Sequence, residues 1–332
     1  MLKPLICWSN KKLPQRYLDL FKRNDIEISS EVANWDIYYP SPKKSNEVVL
    51  GGLKNTAGKY ISIISGTDCM VNRTAVWKNL EKAHGREKAA LIMPETFVLK
   101  NNKDLKLLKA DKRNHFILKS NRHRRLGLAL VETIEKVFEQ KESFEIAQPL
   151  LTYLQRYEGT SFNFRTYVLL TLHDHKLTSY LYNEGLCVYG KQPRAASNLF
   201  ERMVTHTKHR VPEEFPVLMG DMLKALEIVP KDFFDLLKSK IVQLLDASYH
   251  EFGTYEHLQK AQCFQIFGLD VLLNRSKEPL ICEVNKGPSM KSRNENHGQL
   301  KDKMLEEMLS IVGLNAEKNT NFELLSNRDI VF

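Results

Sequence analysis

The chain has 332 residues, 42% of them apolar and 27% charged, the balance of an ordinary globular protein. That excludes a largely disordered, collagen-like or coiled-coil chain, and no apolar run approaches the roughly 18 to 20 residues of a membrane span. The net charge is +9, from 49 basic and 40 acidic residues, which favours an anionic partner such as nucleic acid, phosphate or an acidic protein tail.

The opening stretch Met1-Leu2-Lys3-Pro4-Leu5-Ile6 is cut by Pro4 and too short for a secretory signal, so a cytoplasmic location is expected. Leu13 to Lys22 has helical spacing, and Trp35-Asp36-Ile37-Tyr38-Tyr39 reads as a strand. Ile61 to Ile64 is β-prone, Thr74 to Ala83 helical, and Thr96 to Leu99 a strand after Pro94. The region 100–125 is strongly basic, with Asp104 and Asp111 its acidic residues; a solvated face and a functional patch both explain it. Within it, Phe116-Ile117-Leu118-Lys119 is a strand ending in a lysine. Leu128 to Gln140 reads as an amphipathic helix, and Phe144 to Gln148 as a strand running into Pro149.

Further on, Phe164 to Leu172 and Leu177 to Tyr182 form a hairpin around His173-Asp174-His175-Lys176. Phe233 to Leu245 is a strong helix. Leu269 to Leu273 and Leu280 to Asn285 form a second hairpin around the turn Asn274 to Pro279. Leu300 to Val312 is a closing helix, and the last residues read as a loosely attached tail. The expected architecture is mixed α+β. The cysteines Cys7, Cys69, Cys187, Cys263 and Cys282 form no C-x-x-C pair and read as buried thiols. No histidine pair has metalloprotease spacing, and Trp35 and Trp77 read as core.

The second hairpin carries the chemistry. Asp270 sits in an apolar strand, and Glu283 and Asn285 alternate on the next, so period two puts those two on one face and Cys282 and Val284 on the other. Asp270 joins that face across the hairpin. Three oxygen donors so gathered suit Mg²⁺ bound together with substrate phosphates. Lys119, ahead of the basic loop with Arg122, Arg124 and Arg125, is the cationic candidate for those phosphates. Arg165, inside an apolar strand, needs a carboxylate or phosphate partner.

This set resembles the tubulin tyrosine ligase-like family, whose catalytic body is an ATP-grasp fold. Pro94-Glu95-Thr96-Phe97-Val98-Leu99 is similar to its P-x-T-F-V-L strand, and Phe116-Ile117-Leu118-Lys119-Ser120 to its W-I-V-K-P strand. Phe162-Asn163-Phe164-Arg165-Thr166-Tyr167-Val168-Leu169 matches F-D-L-R-x-Y-V-L, and Tyr180 to Leu186 matches Y-L-Y-E-E-G-L. Gly268 to Leu272 and Cys282 to Ser289 match G-F-D-V-L and L-E-V-N-x-x-P-S. The implied organisation is an N-terminal α/β lobe (1–66), a central ATP-grasp lobe (67–148), a C-terminal ATP-grasp lobe with the metal site (149–315) and a tail (316–332).

The resemblance implies an ATP-dependent carboxylate–amine ligase. Lys119 and Arg165 would be its catalytic cations, and Asp270, Glu283 and Asn285 its Mg²⁺ ligands. ATP would contact Lys119, Arg73, Arg124, Gln148, Leu150 and Leu151. The implied partners are an acidic protein tail, of tubulin or another carboxylate-rich protein, and a free amino acid; nucleic acid is not expected, and a monomer is assumed. Departures from the pattern stand at Asn163 for Asp, Ser161 for Lys and Val188 for Arg. Arg125 replaces a loop glycine, and an H-L-T-N segment is not recognisable near Asn198-Leu199-Phe200-Glu201. Other acceptors for the same chemistry, and a non-catalytic tail-binding relative, are the alternatives.

Overall fold

A computed structural model describes the chain except for residues 1–2, 32–33, 43, 121–126, 194, 207–208, 254, 293, 317–319 and 331–332. The fold is mixed α+β, built on a large sheet and a separate four-stranded one. No helix among the described residues is long and apolar enough to cross a membrane.

The first segment folds as β1 (Leu5–Trp8), α1 (Gln15–Arg23), β2 (Ile26–Ser29), β3 (Ile37–Tyr38), α2 (Asn46–Leu50) and β4 (Tyr60–Ile61). Strand β1 pairs in parallel with β2 and β3, and β3 with β4. The strand expected over Trp35 to Tyr39 is thus only two residues long. Trp35 packs instead in the core, 6% exposed, near Trp8 and Tyr38.

The middle segment contains α3 (Asp68–Val71), α4 (Arg73–His84), α5 (Arg86–Ile92), β5 (Phe97–Val98), α6 (Asn102–Ala110), β6 (Phe116–Lys119), β7 (Leu128–Val131), α7 (Ile134–Gln140) and β8 (Ile146–Pro149). Asn72 caps α4 by accepting from the Thr74 and Ala75 N–H groups, and Asn101 caps α6 in the same way. The four strands form an antiparallel sheet in the order β5-β8-β6-β7. Here the helix expected from Leu128 to Gln140 is corrected. Leu128–Val131 is a strand opposite β6, and the helix starts only after Thr133, whose side chain accepts from the Lys136 N–H. A four-residue apolar run fits either period, and the open edge of β6 decided it.

The last segment supplies β9 (Arg156–Tyr157), β10 (Thr160–His173), β11 (Lys176–Tyr182), β12 (Leu186–Tyr189), α8 (Leu199–Met203), α9 (Met219–Ala225), α10 (Pro230–Ser248), β13 (Gln262–Leu273), β14 (Pro279–Lys286), α11 (Glu295–Val312) and β15 (Phe322–Asp329). Asp174 and His175 both have positive φ, closing the β10–β11 hairpin with the two-residue turn that matches strand twist. The large sheet runs β15-β11-β10-β13-β4-β3-β1-β2, with β12 and β9 on β10 and β14 on β13.

The tail expectation is also corrected, since Phe322–Asp329 pairs along the whole of β11. Glu307 of α11, 1% exposed, holds the approach to that strand through the Asn321 N–H, the Asn321 amide and the Thr320 hydroxyl.

Both faces of the central strands are covered. Along β10, Phe162, Phe164, Val168 and Leu170 enter the core beneath α4 and α10, while Tyr167 and Leu169 enter the core beneath α1 and α11. A smaller core fills the four-stranded sheet around Phe97, Leu108, Phe116 and Leu118. Asn163 and Arg165 share the face of Tyr167, and Gly268 and Asp270 share that of Phe264 and Ile266. At this end of the face polar groups replace the core.

Candidate active site

Strands β10, β13 and β14 lie side by side, with Arg165 opposite Asp270, Asp270 opposite Glu283 and Gly268 opposite Asn285. The three expected metal ligands therefore share one face. Gly268 keeps this surface low. A Cβ there would sit 2.8 Å from the Pro288 Cβ and 3.1 Å from the Arg165 Cδ, so the arginine lies directly across its backbone. Gly287 turns the chain after β14 with φ +62, where a Cβ would meet Pro42 at 2.8 Å.

Asp270 is the centre of a hydrogen-bonded cage. Its Oδ1 accepts from Arg165 Nε at 2.6 Å and from Asn163 Nδ2 at 3.0 Å; its Oδ2 accepts from Arg165 Nη2 at 2.9 Å and from Asn285 Nδ2 at 3.1 Å. Burial works against the charge on Arg165, but the facing Asp270 carboxylate outweighs it and pushes the arginine pKa upward. The expectation that Arg165 needs a carboxylate or phosphate is met here by a bidentate carboxylate.

Glu283 makes a second link. Its Oε1 accepts from Arg73 Nη2 at 3.0 Å, while Arg73 Nη1 donates to the Ser120 carbonyl at 2.7 Å. Arg73, at the start of α4, thereby ties β14 to the end of β6. Beyond Asn285, Lys286 is held by Asp68 at 2.6 Å and by the Lys44 carbonyl at 2.9 Å.

Lys119 faces this hairpin from the four-stranded sheet. It is 7% exposed, and among the described residues its one polar contact is the Cys282 sulfur, 3.9 Å from Nζ. That contact overturns one expectation. Cys282 is on the site face, because the register shifts between Asp270 and Val271, so that Val271 faces Ile281 and Cys282 is the extra residue of a β-bulge. A bulge leaves no mark on the alternation of residue types, so only the charged neighbours across the cleft reveal it. Burial raises the Cys282 thiol pKa, and the Lys119 charge partly offsets this.

Gln148 is opposite Ile117 and so on the Lys119 side of its sheet. Its amide donates to the Thr96 hydroxyl at 2.8 Å, which anchors β8 within the lobe. The Leu150 N–H extends the ladder by donating to the His115 carbonyl at 2.8 Å. Leu150 and Leu151 are both half-buried. Arg124 lies outside the described residues, as do Arg122 and Arg125. A cavity is lined by Leu128, Ala129 and Leu130 of β7 and by Asn198, Leu199 and Phe200 around α8.

Among the described residues no group of three or more His, Cys, Asp and Glu side chains is placed to hold a metal ion. The donor set at the hairpin is two carboxylates and one amide. Hard oxygens of this kind, supplemented by phosphate oxygens, fit Mg²⁺. Asn163 played no part in the expected ligand set, yet its side chain touches Asp270 and it is 3% exposed.

The pattern of the tubulin-tyrosine ligase family matches residues 59–214 and 219–321, most of the chain. The chain belongs to that family. It is 23% identical over 273 residues to tubulin monoglutamylase TTLL4 of Mus musculus, covering 72% of this chain and 22% of that relative. It is 28% identical over 182 residues to tubulin polyglutamylase ttll6 of Danio rerio, covering 48% and 23%, and 26% identical over 229 residues to tubulin polyglutamylase TTLL7 of Mus musculus, covering 60% and 24%. The chain thus spans less than a quarter of the length of each of these relatives.

Proposed function

We propose that this chain has an ATP-grasp body and is an ATP- and Mg²⁺-dependent ligase that joins a protein carboxylate to the amine of a free amino acid. The observation that carries this reading is Lys119. Among the described residues the Lys119 ammonium, in a residue 7% exposed, has the Cys282 sulfur as its polar contact, and an anion beside it would satisfy a charge held largely out of water. It faces a hairpin whose oxygens suit a divalent cation, as a triphosphate requires. Family membership and the relatives' names support ligation of amino acids onto an acidic tail.

In this reading an acceptor carboxylate oxygen bonds to the γ-phosphorus of ATP and ADP leaves. The amine nitrogen of the incoming amino acid then bonds to the acyl carbon, phosphate leaves, and the nitrogen loses its protons. Bound Mg²⁺ would neutralise phosphate charge during the transfer. Lys119 would hold the terminal phosphates, and Arg73 would keep the β6 end against β14 so that they stay aligned. Arg165 would fix Asp270 in place and oppose charge that builds beside it. Glu283 and Asn285 would hold the metal through Glu283 Oε2 and the Asn285 carbonyl oxygen.

A specific observation favours an acceptor or donor different from that of the relatives. Asn163 and Val188, two departures from the family pattern, are cross-strand partners on β10 and β12. Replacing an acid and a base that face each other by two neutral residues leaves the charge balance unchanged and alters one patch beside Asp270. In this reading the chain is a divergent member of the family that keeps the residues proposed for the metal side.

The test is intact-mass spectrometry of tubulin incubated with the protein, Mg-ATP and a pool of amino acids, beside a Glu283→Gln control. A mass increment in the wild type and none in the control is expected, and its size names the donor. ADP release by the wild type without an increment would move the acceptor away from tubulin. No ADP from either protein would overturn the ligase reading.

A further inference from the structure

We infer that this site takes up a divalent cation only together with a polyphosphate, and that Asn163 is the positioning residue responsible. The inference rests on the nucleotide-binding reading above and adds an order of assembly to it.

A carboxylate offers about four lone-pair directions. At Asp270 four protein N–H groups occupy them, two from Arg165 and one each from Asn163 and Asn285, at 2.6 to 3.1 Å. A cation approaching Asp270 must therefore displace a donor, and two of the four belong to a charged guanidinium. Glu283 is half engaged as well, through Arg73. What remains toward a metal is Glu283 Oε2 and neutral amide oxygens. The local charge also opposes a bare cation, since among the described residues Arg73, Lys119 and Arg165 face Asp270 and Glu283, and the neighbouring Lys286 and Asp68 cancel each other. A polyphosphate reverses that balance and brings oxygen ligands of its own.

Asn163 sets this state. Its Nδ2 donates to Asp270 at 3.0 Å and to the Phe164 carbonyl at 3.2 Å. Its Oδ1 is buried without a hydrogen-bond partner among the described residues, so the amide is held by what it donates. An aspartate here would give up both hydrogen bonds and set a second carboxylate against the first. Like charges so close favour either a shared proton or a bound cation. The amide removes that demand and leaves Asp270 occupied by protein donors until a nucleotide arrives. Asn285 supplies the release: turning its amide withdraws an N–H from Asp270 Oδ2 and presents a carbonyl oxygen instead.

The probe is Mn²⁺ followed by the loss of its free-ion paramagnetic resonance signal. Wild type alone should leave the signal unchanged, and addition of a non-hydrolysable ATP analogue should sequester the ion. Asn163→Asp should bind Mn²⁺ without nucleotide at least about tenfold more tightly than wild type. Asn163→Ser, which removes the donor without adding charge, keeps the question open to test if the charged variant folds poorly. It should gain less, and its thermal midpoint is measured alongside. Binding of Mn²⁺ to wild type alone as tightly as with the analogue, lost in Glu283→Gln, would overturn the inference while sparing the nucleotide reading. So would an Asn163→Asp protein that folds and still ignores the bare ion. Failure of wild type to hold Mn²⁺ even with the analogue would overturn both.

Discussion

The β13–β14 hairpin and the four-stranded sheet face each other across the site in opposite conditions. On the hairpin every oxygen of Asp270 is taken by a protein donor, and Glu283 is paired with Arg73. Across the cleft the buried Lys119 ammonium has, among the described residues, one long contact to sulfur. The Asp270 carboxylate is satisfied by protein donors, whereas the Lys119 ammonium meets only sulfur among the described residues. The acidic side is therefore pre-organised by the protein, and the cationic side is where an anionic ligand gains most, because it joins a charge that the described residues meet only through sulfur.

The sharpest way to break this contrast is to remove one cation from each side. Arg165→Leu strands the Asp270 carboxylate in a partly buried setting and should cost about 3 kcal/mol of stability, read from the denaturant midpoint. Lys119→Ala strands no carboxylate and should lower the same midpoint by less than Arg165→Leu does. Equal losses in the two variants would show that Lys119 is as firmly paired as Arg165.

A smaller effect concerns thiols away from the site. Burial lifts Cys7, Cys69 and Cys263 from the ordinary 9.0 to about 12. A thiol whose pKa is raised by folding favours the folded state while protonated. That contribution is fully present below pH 9 and is lost as pH rises toward 12. Unfolding followed against pH should therefore show a falling midpoint across that window. At pH 8 iodoacetamide should label these three slowly, since only the thiolate reacts. Rapid labelling at pH 8 would mean that these thiols are far less shielded than their burial implies.

How much of this was legible in the sequence depended on how local each signal was. That Asp270 joins the face of Glu283 and Asn285 was expected from the hairpin, but its pairing with Glu283 depends on the one-residue bulge at Cys282. The hairpin expected over Phe164 to Tyr182 was legible from its alternation and its short polar turn. Cys282 was assigned to the wrong face because a bulge inserts one residue without changing the pattern of residue types. Leu128–Val131 was misread as helix because its strand identity lies in its partner, Phe116–Lys119. Strand β15 was invisible because β11 is about 140 residues away in sequence, and Ser, Asn and Asp within it weaken the local preference. Asn163 looked like the loss of a carboxylate. Its gain, an N–H directed at Asp270, became visible only once β10 and β13 were set side by side.

The most direct measurement is calorimetric titration of a Mg-bound, non-hydrolysable ATP analogue into wild type and Lys119→Ala. Wild type should bind one analogue per chain. The variant should lose between about tenfold and a hundredfold in affinity, the range of one charge-assisted phosphate contact. Equal affinity in the two proteins, or no binding to wild type, would contradict the placement of the phosphates between Lys119 and the hairpin.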